Sequence, residues 1–270
     1  MLRALVTASG RVLLASIVIN VLFCVLFGAP RALAETPPWE RCDLRADEPI
    51  GGTAKLLIEA ADRSGEVTVS RAQLAWQTGE DASRVLLEMF EPVEINGSRV
   101  LLIAPTGESP QAWAYLPEIA QVKRVGGRHL RKPLFGTSIT YADLEHAGLL
   151  SENAEVERWS EGDLDGRPVW QIESRSGKER ITSWLDRERC VPLRTEVTDR
   201  KGRLARIIEV SPDAFEAGDE FVPRELKVRD LLDHTETRVT LEEYASGEVA
   251  VRFFDPARLA PITTHAAASP

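Results

Sequence analysis

Residues 90–104 read FEPVEINGSRVLLIA, residues 111–117 QAWAYLP, residues 121–125 QVKRV and residues 133–143 PLFGTSITYAD. Short apolar runs are cut by Pro92, Asn96-Gly97, Pro117 and Gly136, which is how strands joined by turns are written. Alternation along 111–117 sends Ala112, Ala114 and Leu116 to one side of a strand and Trp113 and Tyr115 to the other. Clustered acids, bases and nucleophiles of a catalytic motif do not occur in these runs.

The same pattern extends in both directions. Residues 55–60 and 66–78 form a hairpin about Asp62-Arg63-Ser64-Gly65, and the apolar positions change parity between Val69 and Ala72, which predicts a bulge or bend near Ser70. Further strands are expected at 84–89 and 99–104. Asp165-Gly166 joins 156–159 to 169–173, Ser176-Gly177 leads into 180–185, and Lys201-Gly202 joins 192–198 to 204–210. Residues 224–230 and 237–244 make a last pair, with Val239 and Leu241 alternating against polar neighbours. Trp170 and Ile172 share a face, as do Thr182 and Trp184. Turn signals at this spacing predict an antiparallel meander. Helical pattern is confined to 137–150, with Thr140 as a cap, and more weakly to 211–217 and 256–259.

Arg3 and Arg11 precede an apolar run over 12–27, and Ala32-Leu33-Ala34 offers a small-residue cleavage site, so residues 1–34 read as a secretory signal peptide and the compartment as the periplasm. Cys24 is preceded by Phe23, which does not fit a lipoprotein box. The expected organisation is a segment over 35–52, one β domain over 53–260 and a tail over 261–270. Cleavage removes three basic residues and no acids, leaving 30 basic against 42 acidic, a net −12. That balance argues against a nucleic-acid partner, which needs a basic surface to neutralise phosphates. It also disfavours unaided adhesion to anionic lipid. No stable membrane span is expected after cleavage. Cys42 and Cys190 then remain in an oxidising compartment, where one disulfide between them is expected, two unpaired thiols being the alternative.

A search for chemistry yields little. His129, His146, His234 and His265 stand in no zinc-binding spacing, Gly126-Gly127 lacks the residues of a phosphate loop, and adjacent acids such as Glu242-Glu243 point to opposite faces of a strand. No catalytic residue, metal or cofactor is expected. One basic cluster stands out in an otherwise acidic chain: Lys123, Arg124, Arg128, His129, Arg131 and Lys132. It reads as a solvated loop or as an electrostatic contact for a headgroup or an acidic partner, with Arg124, Arg128 and Arg131 as the candidate residues.

The order of these short motifs resembles the family of outer-membrane lipoprotein-sorting proteins, relatives of the LolA and LolB carriers. The resemblance rests on Trp113, Tyr115, Leu116 and Pro117, then Arg124, Phe135-Gly136, Tyr141, Asp143 and Leu144, and finally Phe254, Pro256 and Leu259. It implies a mainly β fold, a strongly curved antiparallel sheet forming a half-open barrel with a few short helices, whose concave side receives acyl chains. Two features depart from the family pattern. Residues 35–52 are polar and contain proline where members carry an amphipathic helix, and Ser138 stands where an acid is expected.

From the strand pattern and the resemblance together, a groove lined by Trp76, Trp113, Tyr115, Leu116, Phe135, Tyr141, Trp170 and Trp184 is expected. Its cargo would be a lipid, a lipoprotein acyl chain or another apolar ligand, and the resemblance further implies an exporter of the resistance-nodulation-division type as partner. Two rivals use the same scaffold. A non-transporting regulatory module would fill its groove with its own side chains, and an enzyme would need a polar pocket with convergent titratable groups.

Overall fold

The computed structural model describes residues 50–141, 143, 155–217 and 220–260. The expected signal peptide, Cys42, Leu144, His146 and the tail over 261–270 lie outside the described residues.

Fifteen strands are described, thirteen of them in one antiparallel sheet. The first wing runs β1 (Ile50–Ala61), β2 (Val67–Thr78), β3 (Ala82–Glu91), β4 (Arg99–Pro105), β5 (Gln111–Leu116) and β6 (Gln121–Val125), each paired with the next. The second wing runs β7 (Glu155–Leu164), β8 (Arg167–Ser176), β9 (Glu179–Asp186), β10 (Pro192–Thr198) and β11 (Leu204–Val210). After a separate hairpin of β12 (Ala214–Ala217) and β13 (Glu220–Pro223), strand β14 (Glu225–Asp230) pairs with β11, and β15 (Thr235–Ser246) pairs with both β14 and β1. The spatial order β6-β5-β4-β3-β2-β1-β15-β14-β11-β10-β9-β8-β7 joins the wings through the first and last strands of the sheet and leaves β6 and β7 as its edges. The sheet is curved and not closed into a barrel. A simple meander is therefore corrected at one point: β6 and β7, consecutive in the chain, are not neighbours but lie at opposite edges of the sheet, and the described part of the segment that follows β6 crosses its inner face.

The turns follow from their residues. Gly65, Gly97, Gly166, Gly177 and Gly202 all adopt positive φ at hairpin ends, where a side chain would be strained. Asp62 Oδ1 accepts from the backbone N–H groups of Ser64 (2.8 Å) and Glu66 (3.0 Å), closing the first turn.

The irregularity expected near Ser70 is present next to it, at Arg71/Ala72, but the extra residue is on β3 rather than on β2. Strand β2 pairs with β1 without a break, and the register shift lies between β2 and β3, where Arg71 faces Glu91, Ala72 faces Met89 and Phe90 is left over. Val67 and Val69 sit on the solvent side of β2, 54% and 48% exposed, so the change of parity marks the strand rising out of the covered region. The helix expected over 211–217 is also corrected: residues 214–217 are strand β12. Pro256–Arg258 does form a short 3-10 turn, capped by Asp255, whose Oδ1 accepts from Ala257 N at 2.9 Å.

Alternation gives the sheet two faces. Ala54, Leu56 and Ile58 of β1, Ala72 of β2, Leu87 and Met89 of β3, Val100 of β4, Ala114 of β5, Val228 of β14 and Val239 of β15 share the inner face and form one buried core. Leu134 and Ile139 from the crossing segment pack onto it. On the outer face of the first wing, Leu101 and Tyr115 are buried by Phe254 and Leu259 of the C-terminal segment, and Arg99 Nη1 donates to the Leu259 carbonyl at 3.1 Å. Each face of that wing is apolar and each has its own cover. The outer face of the second wing instead carries an ion-pair lattice, with Arg194 bonded to Glu196 (2.6 Å) and Glu209 (2.5 Å), and Arg229 to Glu209 (2.9 Å).

Candidate ligand-binding face

The crossing segment occupies part of the inner face. Pro133 and Thr140 form an isolated bridge that folds residues 133–140 into a compact loop, and Thr137, Ser138, Ile139 and Thr140 are all buried. Polar bonds fix where it sits. Ser138 N donates to Thr237 Oγ1 (2.7 Å) and Ser138 Oγ to Thr235 Oγ1 (2.9 Å), both on β15. The guanidinium of Arg206 on β11 donates from Nη2 to the Ser138 carbonyl and to Asp143 Oδ2, each at 2.6 Å. Asp143 Oδ2 also accepts from Thr140 N (2.6 Å), while Asp143 N donates to Thr140 Oγ1 (3.2 Å), a reciprocal pair of the capping kind; residues 137–140 are not helical, and most of the helix expected to follow lies outside the described residues. The side chains of Arg206 and Asp143 are 14% and 13% exposed, so this is a largely buried pair. At the position where the family pattern has an acid, Ser138 is joined to two threonine hydroxyls.

Toward the other end of β1 the inner face is less covered. Trp76 on β2 and Tyr244 on β15 flank Gly52 and Ala54, and their rings stack with centroids 5.7 Å apart and planes 20° from parallel. The indole lies against the Gly52 backbone: a Cβ at Gly52 would stand 2.6 Å from Trp76 Cζ2 and 2.6 Å from the Ala245 carbonyl. Only glycine leaves room for the ring there. Leu74, Trp76, Leu226 and Leu241 pack against the core without being fully buried, and Tyr244 is likewise partly buried, which makes an apolar shelf continuous with the core. Phe135 and Tyr141 of the crossing segment pack against the same core, and burial pushes the Tyr141 phenol above its ordinary pKa, keeping it neutral.

The eight residues expected to line one groove do not share a surface. Trp76, Phe135 and Tyr141 pack against the same inner-face core. Trp170 is on the inner face too, but in the second wing and buried, with the Arg187 guanidinium 5.7 Å from its ring centroid. Leu116 is exposed at the end of β5. Trp113 and Tyr115 lie on the outer face against the C-terminal segment, and Trp184 lies on the outer face of the second wing with Arg194 over its ring at 5.9 Å. The physical reason is the second cover, because an outer face that buries Phe254 and Leu259 needs aromatic partners of its own. Sequence reasoning missed Gly52, Leu74, Leu226, Leu241 and Tyr244. The available signal was Gly52, a glycine inside an apolar strand, which marks close approach by another group.

Of the basic residues, Lys123 and Arg124 are exposed on β6, Arg124 donating to Gln111 Oε1 at 3.2 Å, and Arg131 pairs with Glu179 at 3.4 Å. The side chain of Arg128 is not among those described. Cys190 occupies a left-handed position at φ 57° after β9, and its expected partner lies outside the described residues. Among the described residues no group of three or more His, Cys, Asp or Glu could hold a metal ion, and no helix is long and apolar enough to cross a membrane.

This curved, open antiparallel sheet with a segment laid across its inner face is the LolA-like fold. It superposes on a domain from Vibrio parahaemolyticus described as an outer membrane lipoprotein-sorting protein, with a TM-score of 0.74 at 20% identity over 82% of this chain and 95% of that one. A DUF1329 family protein from Desulfovibrio piger matches with a TM-score of 0.70 at 16% identity, over 82% of this chain and 94% of the other. A LolA superfamily protein from Nitrosomonas europaea gives 0.61 at 14% identity, over 81% and 96%. No curated protein matches the sequence. The model of a family described as "Uncharacterized protein" matches residues 81–260, more than half of the chain, and the chain belongs to that family.

Proposed function

We propose that this chain is a periplasmic carrier that shelters a lipid, a lipoprotein acyl chain or a similar apolar ligand on the inner face of its sheet for transfer within the cell envelope. The observation that carries the proposal is the partly buried apolar shelf of Leu74, Trp76, Leu226, Leu241 and Tyr244, continuous with a buried core against which Phe135 and Tyr141 also pack. Apolar burial stabilises by about 0.8 kcal/mol per methylene, so a single acyl chain laid along such a shelf binds reversibly with useful affinity. The lipoprotein-sorting description of the Vibrio domain with the same fold supports this reading. Secretion through cleavage after Ala34, a Cys42–Cys190 disulfide and an exporter of the resistance-nodulation-division type as membrane partner belong to the same proposal. Non-reducing peptide mapping tests the disulfide.

Native mass spectrometry of protein purified from the periplasm tests the carrier reading. A co-purified lipid mass is expected in the wild type and is lost in Leu241→Glu, which puts a charge on the shelf. A second reading, a regulatory module that binds envelope proteins, is favoured by the burial of Leu134, Ser138 and Ile139 on the same face. Ligand-free protein from every preparation would favour it over the carrier.

A further inference from the structure

Strand β6 ends the sheet. Its residues pair with β5 from Leu116↔Gln121 to Ala112↔Val125, and among the described residues no strand lies along its other side. The opposite edge carries its charges differently: on β7, Arg158 pairs with Glu173 (2.8 Å), Glu161 with Arg187 (3.0 Å) and Glu157 with Arg175, so these three are paired within the sheet. On β6 two adjacent exposed cations, Lys123 and Arg124, face no acid among the described residues, and Arg124 donates to the neutral Gln111. Because Lys123 opposes Ala114 and Arg124 opposes Trp113, the two cations stand on opposite faces of the sheet. A flat anionic surface cannot meet both. An added strand can, since its own successive side chains also alternate between the faces.

We propose that the β6 edge takes up an extended acidic segment of a partner protein by strand addition. The segment reads apolar, acid, acid, apolar opposite Val122, Lys123, Arg124 and Val125, with one carboxylate meeting each cation on its own face. The formal charge of −9 over the whole chain repels an acidic ligand elsewhere and directs it to this edge.

The test uses the mature protein and a labelled, end-blocked peptide, Thr-Val-Glu-Glu-Val-Thr, with its Lys-Lys counterpart as control. By fluorescence anisotropy at low salt the Glu-Glu peptide binds the wild type, and Lys123→Glu with Arg124→Glu weakens it by about tenfold or more. The reversed variant prefers the Lys-Lys peptide. Amide hydrogen exchange slows over residues 121–125 when the Glu-Glu peptide is bound. Lys123→Gln with Arg124→Gln serves if the reversed variant does not fold. Equal binding of the two peptides, binding without slowed exchange, or binding only to phosphatidylglycerol vesicles overturns the proposal. None of these results touches the shelf, whose occupancy is read separately by mass.

Discussion

Replacing Gly52 by valine puts a branched side chain where the Trp76 ring and the Ala245 carbonyl each come within 2.6 Å of the first added carbon. Neither the strand backbone nor a stacked indole can yield without losing a neighbour, so the expected cost is about 1 to 3 kcal/mol in denaturant unfolding. The emission of Trp76, isolated by difference against Trp76→Phe, should shift to the red as the ring is pushed into water. Unshifted emission would mean the indole has another seat. A second residue-scale prediction concerns Asp199, whose carboxyl is pulled from its ordinary 3.8 down to about 2, first by the Arg203 backbone N–H and then by the Arg203 guanidinium. Since the folded value lies below the unfolded one, its contribution to stability is complete above about 3.8 and is lost as pH falls toward 2. In Asp199→Asn the stability curve should flatten across that window, and carboxyl NMR of the wild type should place the titration near its lower end.

At the scale of single elements, the crossing segment is held by polar bonds as well as by Leu134 and Ile139. Arg206 to Asp143 and to the Ser138 carbonyl is the largely buried link between that segment and the second wing, alongside the exposed Arg131–Glu179 pair. Cutting one partner leaves the other charge largely buried, so Arg206→Ala should cost about 3 kcal/mol, whereas Arg206→Met combined with Asp143→Leu should recover much of it. Hydrogen exchange should show residues 134–141 opening before β1 in the single variant. Strands were legible in the sequence because their ends carry turn chemistry: Asp62 with Gly65, and Gly97, Gly166 and Gly202, announce hairpins locally. What a residue packs against across the sheet is not local. Residues 214–217 resembled a weak helix because four residues are too few to show either period, and only pairing with 220–223 decides for strand. Trp113 looked like a groove residue because its burial against the C-terminal segment depends on contacts across more than a hundred positions.

For the molecule as a whole, the joint between the wings is made by β1 and β15, the first and last strands of the sheet, and nothing in either strand's own pattern names the other as its partner. The family resemblance implied a curved, half-open sheet, but the pairing of β1 with β15 is seen only in the structure. The consequence is testable by shortening the chain. A version ending at Ala260 keeps β15 and the C-terminal segment and should unfold in one cooperative transition like the full chain. Ending at Ser246 keeps β15 but removes the residues that cover Leu101 and Tyr115, so the sheet should persist with lower stability and a newly dye-binding outer face. Ending at Asp233 removes β15 altogether. Strand β1 then loses its pairing from Gly52↔Ser246 to Ala61↔Glu236, and β14 becomes an edge whose apolar Val228 has lost its neighbour. Such a chain should show no single sigmoidal transition by circular dichroism, because wings of local hairpins without their joint cannot bury the shared core of Leu56, Ile58, Val228 and Val239. A sharp transition in that shortest version would show that one wing folds alone, and the shelf between Trp76 and Leu226, which draws residues from both sides of the joint, would then assemble only after the wings had formed.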